Sequence, residues 1–351
     1  MKKKKYTAID LFCGAGGLTD GLKSAGFCVL AGIENNSIAA ETYKLNNKIS
    51  RLYEEDICKL SPDRLMRDLG LKKGELDLLA GCPPCQGFSS HRTRNKTSSI
   101  NDDRNDLVFE FVRFVEALYP KTIMMENVPA LAKDWRVEEL KTRLLLLGYQ
   151  IDETFAQIKD AAEYGVPQRR RRLLIKASRF GVIPNALPVK KRKTVKAAID
   201  HLPVPGSSGD PLHDILEART PKIQKMISMV PKNGGSRFDL PKEYWLACHL
   251  KRPDGYRDVY GRMSWDKVAP TITGGCTNPS KGRFIHPEQN RAITLREAAL
   301  LQTFPPKYRF AQSRGKDAIA LMIGNALPPA FIKIHAVQYR KHLEKVEHGH
   351  I

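Results

Sequence analysis

Short apolar runs alternate with stretches of helical spacing through the first 150 or so residues. Tyr6 to Leu11 predicts a buried strand, followed by a glycine-rich turn and then helical spacing from Leu18 to Ala25. Phe27 to Ile33 and Leu76 to Ala80 predict further buried strands. Leu107, Val108, Phe111, Val112, Val115 and Leu118 mark the apolar face of a helix between Asn105 and Tyr119, stopped by Pro120. Lys121 to Met125 predicts a strand and Glu138 to Leu147 a helix closed by Gly148. The alternating segment Tyr149 to Lys159 is suited to pair with Leu173 to Ala177. Strands alternating with helices predict an α/β fold with a mostly parallel, doubly wound sheet. No apolar run approaches the ~20 residues of a membrane-spanning helix, so no membrane partner is expected. Beyond Gly181, prolines become frequent and periodicity fades, which predicts a smaller irregular domain at 201–317. Helical spacing returns at 318–343, around Gly324-Asn325-Ala326-Leu327-Pro328-Pro329.

Five polar signals fall at the carboxyl ends of the predicted strands, the edge where open α/β sheets bind ligands. The first is the turn Phe12-Cys13-Gly14-Ala15-Gly16-Gly17. Its glycines allow a nucleotide-like ligand to approach the backbone. A dinucleotide fingerprint needs another glycine at 19, where Thr19 stands. The second is Glu34, 20 residues past Gly14, the distance at which an acidic residue holds ribose hydroxyls in such folds. Together these two point to an adenosine-type ligand without a pyrophosphate. The third is Asp56, followed by Ile57, and the fourth is Gly81-Cys82-Pro83-Pro84-Cys85-Gln86-Gly87-Phe88-Ser89. Two prolines there fix the backbone beside a cysteine. Cys82 and Cys85 have equal claims as redox pair, half of a zinc site, or nucleophile. Zinc would want a second close pair, and Cys248 and Cys276 do not form one. The fifth signal is Glu126, a carboxylate at the end of a buried strand, where burial is costly without a partner or a task. Arg169 to Arg172 would favour a thiolate if the fold brought them near it.

Charge narrows the partner. Lys and Arg number 58 against 38 Asp and Glu, a net charge of +20, which points to a polyanion such as nucleic acid. The loop from Ser89 to Ser99 is basic and rich in hydroxyls, as a segment closing on a phosphate backbone would be. Tyr244, Trp245, Tyr256, Tyr260 and Trp265 lie among basic residues, as nucleic-acid contacts or as ordinary core. The seven cysteines are expected to be reduced thiols. The run Met1 to Lys5 is followed by Asp10 and glycines rather than an apolar stretch, so secretion is not expected.

With these residues laid out, the chain resembles the bacterial DNA cytosine-5 methyltransferases of the restriction-modification type over almost its whole length. The carrying motifs are Asp10 to Gly17, Glu34, Asp56-Ile57, Pro84-Cys85-Gln86, Glu126-Asn127-Val128 and Gln168-x-Arg170-x-Arg172. Arg296-Glu297 through Leu301-Gln302-x-Phe304-Pro305 and Gly324 to Pro329 complete the set. The resemblance implies a Rossmann-like methyltransferase fold with a catalytic and cofactor-binding domain at 1–200 plus 318–351. The irregular region 201–317 would be the target-recognition domain. S-adenosylmethionine would be the cofactor, S-adenosylhomocysteine the product, and no metal would be needed. Asp10, Phe12, Gly14, Gly16, Gly17, Leu18, Glu34, Asp56, Ile57, Pro84, Leu107 and Asn325 would contact that cofactor. Cys85 would attack C6 of a flipped-out cytosine, with Glu126 at N3, Arg172 at the O2 edge and Arg170 supporting the site. Asn127 would orient the loop. Gln86, Ser89, Arg92, Arg94, Arg262, Thr277 and Arg283 are the candidates for contact with duplex DNA. A cognate restriction endonuclease acting separately, a monomeric state and a bacterial cytoplasmic, nucleoid-associated location follow from the same resemblance. The same chemistry on a tRNA cytosine, or DNA binding without catalysis, are the alternatives.

Overall fold

The computed structural model describes residues 6–84, 106–215 and 217–349. They fall into two compact units. The first comprises the described residues of Met1–Tyr164, Arg171–Pro188 and Leu327–Ile351, and the second those of Gly165–Arg170 and Val189–Ala326. The borders thus lie at 188/189 and 326/327 rather than at 200/201 and 317/318. Hydrogen bonds explain both shifts. Val195 and Lys196 donate their N–H groups to Lys267 O and Trp265 O at 2.9 and 3.0 Å, which ties 189–200 to the second unit. At the other border Gln302 Nε2 donates to Ile323 O and Ala326 O, at 2.8 and 2.7 Å.

The first unit is built on seven strands: β1 (Thr7–Leu11), β2 (Cys28–Ile33), β3 (Arg51–Tyr53), β4 (Leu78–Gly81), β5 (Thr122–Asn127), β6 (Ala156–Asp160) and β7 (Arg171–Ser178). Their order across the sheet is β3-β2-β1-β4-β5-β7-β6. The first five run parallel, while β7 is antiparallel to both β5 and β6. Chain progression reverses between β1 and β4, and that switch point opens a crevice at the carboxyl ends of the strands. Side chains alternate between faces with period two. Ile9, Leu11, Leu79, Ile123, Met125, Leu173 and Ile175 are buried in one core cluster. Helices α3 (Pro62–Leu69), α4 (Leu107–Leu118) and α5 (Trp135–Leu146) contribute Leu65, Phe111, Val112, Val115, Leu140 and Leu144 to that cluster.

Helix α1 (Gly17–Ser24) packs against the C-terminal helix, Pro329–Glu347. The approach is close enough that a Cβ on Gly21 would lie 2.5 Å from Ile332 Cβ, so only glycine fits there. Helix α2 (Ser37–Asn46) is capped by Asn36, whose Oδ1 accepts from the N–H groups of Ile38 and Ala39.

The second unit contains α6 (Val195–Ile199), α7 (Pro211–Asp214), α8 (Pro221–Met229), α9 (Ala247–Lys251), α10 (Leu295–Leu301) and α11 (Gly315–Asn325); the C-terminal helix is α12. Its described residues include no named strand, only isolated bridges such as Arg262–Ile285. Irregular backbone leaves many carbonyls without ladder partners, and each must be satisfied when buried. Arg262 meets that need. It is fully buried, and its guanidinium donates to Val230 O, His286 O, Gln289 O, Ile227 O and Asn290 Oδ1. A residue so enclosed does not touch DNA, which corrects the expectation for Arg262. Trp245 and Tyr260 likewise belong to a small core with Met226, Ile227, Val230, Leu240 and Ile285, not to a nucleic-acid surface.

One stretch, Gly315–Glu347, is long and apolar enough by length and composition to cross a membrane. The chain leaves helical conformation after Asn325 and resumes it at Pro329, and 56% of the apolar window is buried within the protein.

Candidate active site

Strand β1 ends at Leu11 and delivers the chain into the glycine turn. Phe12, Gly14 and Gly16 all take positive φ, at 61°, 52° and 94°. At Gly14 and Gly16 this is the conformation that favours glycine. A Cβ on Gly14 would meet nothing within 4 Å, so the turn borders open space. Gly16 is also the N-cap of α1, with no side-chain cap over the first turn. Glu34, just past β2, closes the turn from the side. Its Oε2 accepts from Gly14 N–H at 2.9 Å and its Oε1 from Asn36 N–H at 2.7 Å. Burial raises the Glu34 carboxyl above its usual range, against the opposing pull of those donors. Asp10 lies fully buried at the base, accepting from Thr19 Oγ1 at 2.6 Å. Burial pushes its carboxyl up to about 7, with the Glu34 charge adding and the Thr19 hydrogen bond opposing. Asp10 Oδ1 has no hydrogen-bond partner among the described residues. An open glycine turn with a carboxylate fixed beside it by backbone N–H groups fits a nucleoside-type ligand.

The second cluster lies on β4, β5 and β7. Glu126 is 6% exposed and stands opposite Leu174 in the β5–β7 ladder. Arg172, two residues before Leu174 and on the same face, places Nε 2.7 Å from Glu126 Oε1. Asn127 donates from Nδ2 to Pro83 O at 3.0 Å and accepts from Val128 N–H at 2.7 Å. Asn127 therefore fastens the start of the cysteine loop to the end of β5. Cys82 N–H continues the β1–β4 ladder to Leu11 O at 3.2 Å. Burial pushes the Cys82 thiol well above its usual range, and the Glu126 and Asp10 carboxylates add to it. A neutral thiol is a poor nucleophile. Among the described residues no group of three or more His, Cys, Asp or Glu could hold a metal ion.

A family model for C-5 cytosine-specific DNA methylases matches residues 6–341. The chain belongs to that family. It is 39% identical to the Type II methylase M.HgiDII of Herpetosiphon aurantiacus, covering 96% of this chain and 95% of that one. It is 35% identical to the Type II methyltransferase M1.HphI of Haemophilus parahaemolyticus, covering 92% and 83%. Among solved structures, the methyltransferase EhMeth of Entamoeba histolytica shares the fold with a TM-score of 0.66 at 17% identity, over 97% of this chain and 99% of that one. The S. pombe Dnmt2 methyltransferase does so with a TM-score of 0.58 at 18% identity, over 98% and 99%.

Within this C-5 cytosine methylase, the structure distributes the expected site residues unevenly. Gly17 and Leu18 open α1 and are buried, and Asp56 is half-buried, accepting from Cys58 N–H. Ile57 is a core residue. Arg113 Nη2 donates to its carbonyl at 2.6 Å, which pins the Asp56 loop. Leu107 is half-buried at the start of α4, and Pro84 is half-buried just past β4. Cys85, Gln86, Ser89, Arg92 and Arg94 lie outside the described residues.

Arg170 belongs to the second unit, where its guanidinium donates to Ile272 O and Gly324 O at 3.0 and 2.8 Å. It is a clamp on that unit's backbone rather than a group free for catalysis. Asn325 ends α11 in the same unit and is exposed. Thr277 is buried, its carbonyl accepting from Arg219. Arg283 spends its Nη1 on Gly234 O, Gly235 O and Arg262 O. The sequence registered Thr19 only as a missing glycine. Its hydroxyl is what holds Asp10, and the signal was its place in the first turn of a helix beneath a strand-end carboxylate.

Proposed function

We propose that the chain transfers a methyl group from S-adenosylmethionine to C5 of a flipped-out cytosine in a specific duplex DNA sequence, with Cys85 as nucleophile. The observation that carries the assignment of roles is the Glu126–Arg172 pair at 2.7 Å, tied through Asn127 to Pro83 at the start of the cysteine loop. The cytosine must leave the stack, since C6 cannot be reached inside a duplex. Arg172 pairs with Glu126 in the base-free protein. Arg172 would meet the O2 edge of the base, and Glu126 in its protonated form would donate to N3. Cys85 thiolate forms a bond to C6, and electron density moves through the ring to C5. Asp10, Phe12, Gly14, Gly16, Gly17, Leu18 and Glu34 would hold S-adenosylmethionine, which when bound supplies an electrophilic methyl group. Loss of the C5 proton to a base and release of Cys85 from C6 restore the aromatic ring. The proposed chemistry needs no metal.

The Type II relatives favour a role in protecting host DNA beside a separate restriction endonuclease. A monomer acting on the nucleoid in a bacterial cytoplasm is the setting that fits. The irregular second unit would read the target, with phosphate contacts from its surface and from the basic loop after Cys85.

The test is covalent trapping on duplex DNA carrying 5-fluorocytosine, which blocks loss of the C5 substituent. The full-length protein with S-adenosylmethionine is expected to form a denaturation-stable adduct. Cys85→Ser should form none and Cys82→Ser should keep most of it. Absence of an adduct with the unaltered protein, or methyl transfer to tRNA only, would sink the proposal.

A further inference from the structure

Arg262 and Arg283, which looked suited to DNA contact, direct their guanidiniums to the protein's own carbonyls, and Thr277 is buried. A different segment of the second unit has the opposite character. Arg252-Pro253-Asp254-Gly255-Tyr256-Arg257 follows α9, and all of it except Gly255 is exposed. The Arg257 side chain is 77% exposed, and its ion pair with Asp254, at 3.9 Å, is a loose surface contact. Tyr256 is 56% exposed and takes a φ of 49°, an unusual conformation for a bulky residue.

The loop is held from beneath by Arg237. This residue is fully buried, and its Nη2 donates to Pro253 O at 3.0 Å and Gly255 O at 2.6 Å. Its guanidinium carbon lies 4.3 Å from the Phe238 ring centre and 4.9 Å from that of Trp245. Its Nε and Nη1 have no hydrogen-bond partner among the described residues. Burying a cation is costly, and here it fixes the backbone of a six-residue turn. Phosphate contacts need charge but little positioning. Reading a base edge needs a guanidinium presented in a set direction, because the bidentate pairing with guanine O6 and N7 is geometric.

We propose that residues 252–257 are a sequence-reading element for duplex DNA. Arg252 and Arg257 each recognise a guanine in the target site, and Tyr256 packs against the neighbouring base or sugar. The role rests on the DNA methyltransferase function proposed above.

Bisulfite sequencing of a genome methylated by the full-length protein gives the target motif. Repeating it with Arg252→Gln, Arg257→Gln and Tyr256→Ala tests the loop, with S-adenosylmethionine affinity measured in parallel. Each arginine variant is expected to tolerate other bases at one guanine position. Its rate on the original site should fall about 10- to 100-fold, with cofactor affinity unchanged. An unchanged motif in both arginine variants would overturn the proposal, whether the rate stays the same or falls equally on all sequences. If the unaltered protein produced no 5-methylcytosine, the methyltransferase function itself would fail, a result distinguishable from failure of the loop.

Discussion

Glu126 and Arg172 hold each other at 2.7 Å before any base arrives, and 6% exposure leaves the carboxylate little water. The pair places both side chains on one face of the sheet, at the site proposed for the base. Glu126→Gln removes the transferable proton while keeping the size of the side chain. We expect its single-turnover methylation rate to fall by about 10²- to 10⁴-fold, the usual contribution of a positioned acid. Binding of a duplex containing the target should change far less, and a variant with an unaltered rate would remove Glu126 from the chemistry. Glu126 was legible in the sequence because a carboxylate ending an apolar strand is conspicuous. The fates of Arg170, Arg237 and Arg262 were not. Which carbonyls an arginine satisfies depends on backbone left unpaired elsewhere, 102 residues away in the case of Arg170 and Ile272.

At the scale of elements, the glycine turn and the C-terminal helix depend on each other through α1. The turn feeds α1, and Gly21 lets α12 approach to contact. Helix α12 buries His335 between the rings of Tyr164 and Phe331, with centroids 4.6 and 4.5 Å away. Burial lowers the His335 pKa to about 3, and Lys159 and Lys176 push it the same way. The folded pKa lies below the unfolded one, so the unfolded chain binds the extra proton. The stability that neutral His335 contributes is complete above about pH 6.5 and is lost as pH falls toward 3. At pH 5 the loss amounts to about 2 kcal/mol by linkage. His335→Phe keeps the ring contacts and removes the proton site. Its urea midpoint should therefore drop less than that of the unaltered protein between pH 7.5 and pH 5. Equal drops would show that His335 is not the titrating group.

The whole molecule carries a net charge of +20, and its proposed partner is a polyanion. Affinity for non-specific duplex should fall linearly on a log–log plot against salt. With roughly six to ten phosphate contacts it should drop about 10³- to 10⁵-fold from about 50 mM to about 200 mM salt. A flat dependence would mean that the positive surface is not where DNA lies. The strand–helix alternation, the polar signals at the strand ends and the positive charge are legible in the chain alone. These are local patterns of period and composition, and they survive without knowing which segments meet. Tertiary structure alone decided the antiparallel seventh strand, the borders of the two units and the sorting of cations. Glu126 faces Arg172 because β7 pairs with β5 in one register. Arg262 is enclosed and Arg257 exposed because burial depends on long-range packing, to which neighbours in sequence give no guide.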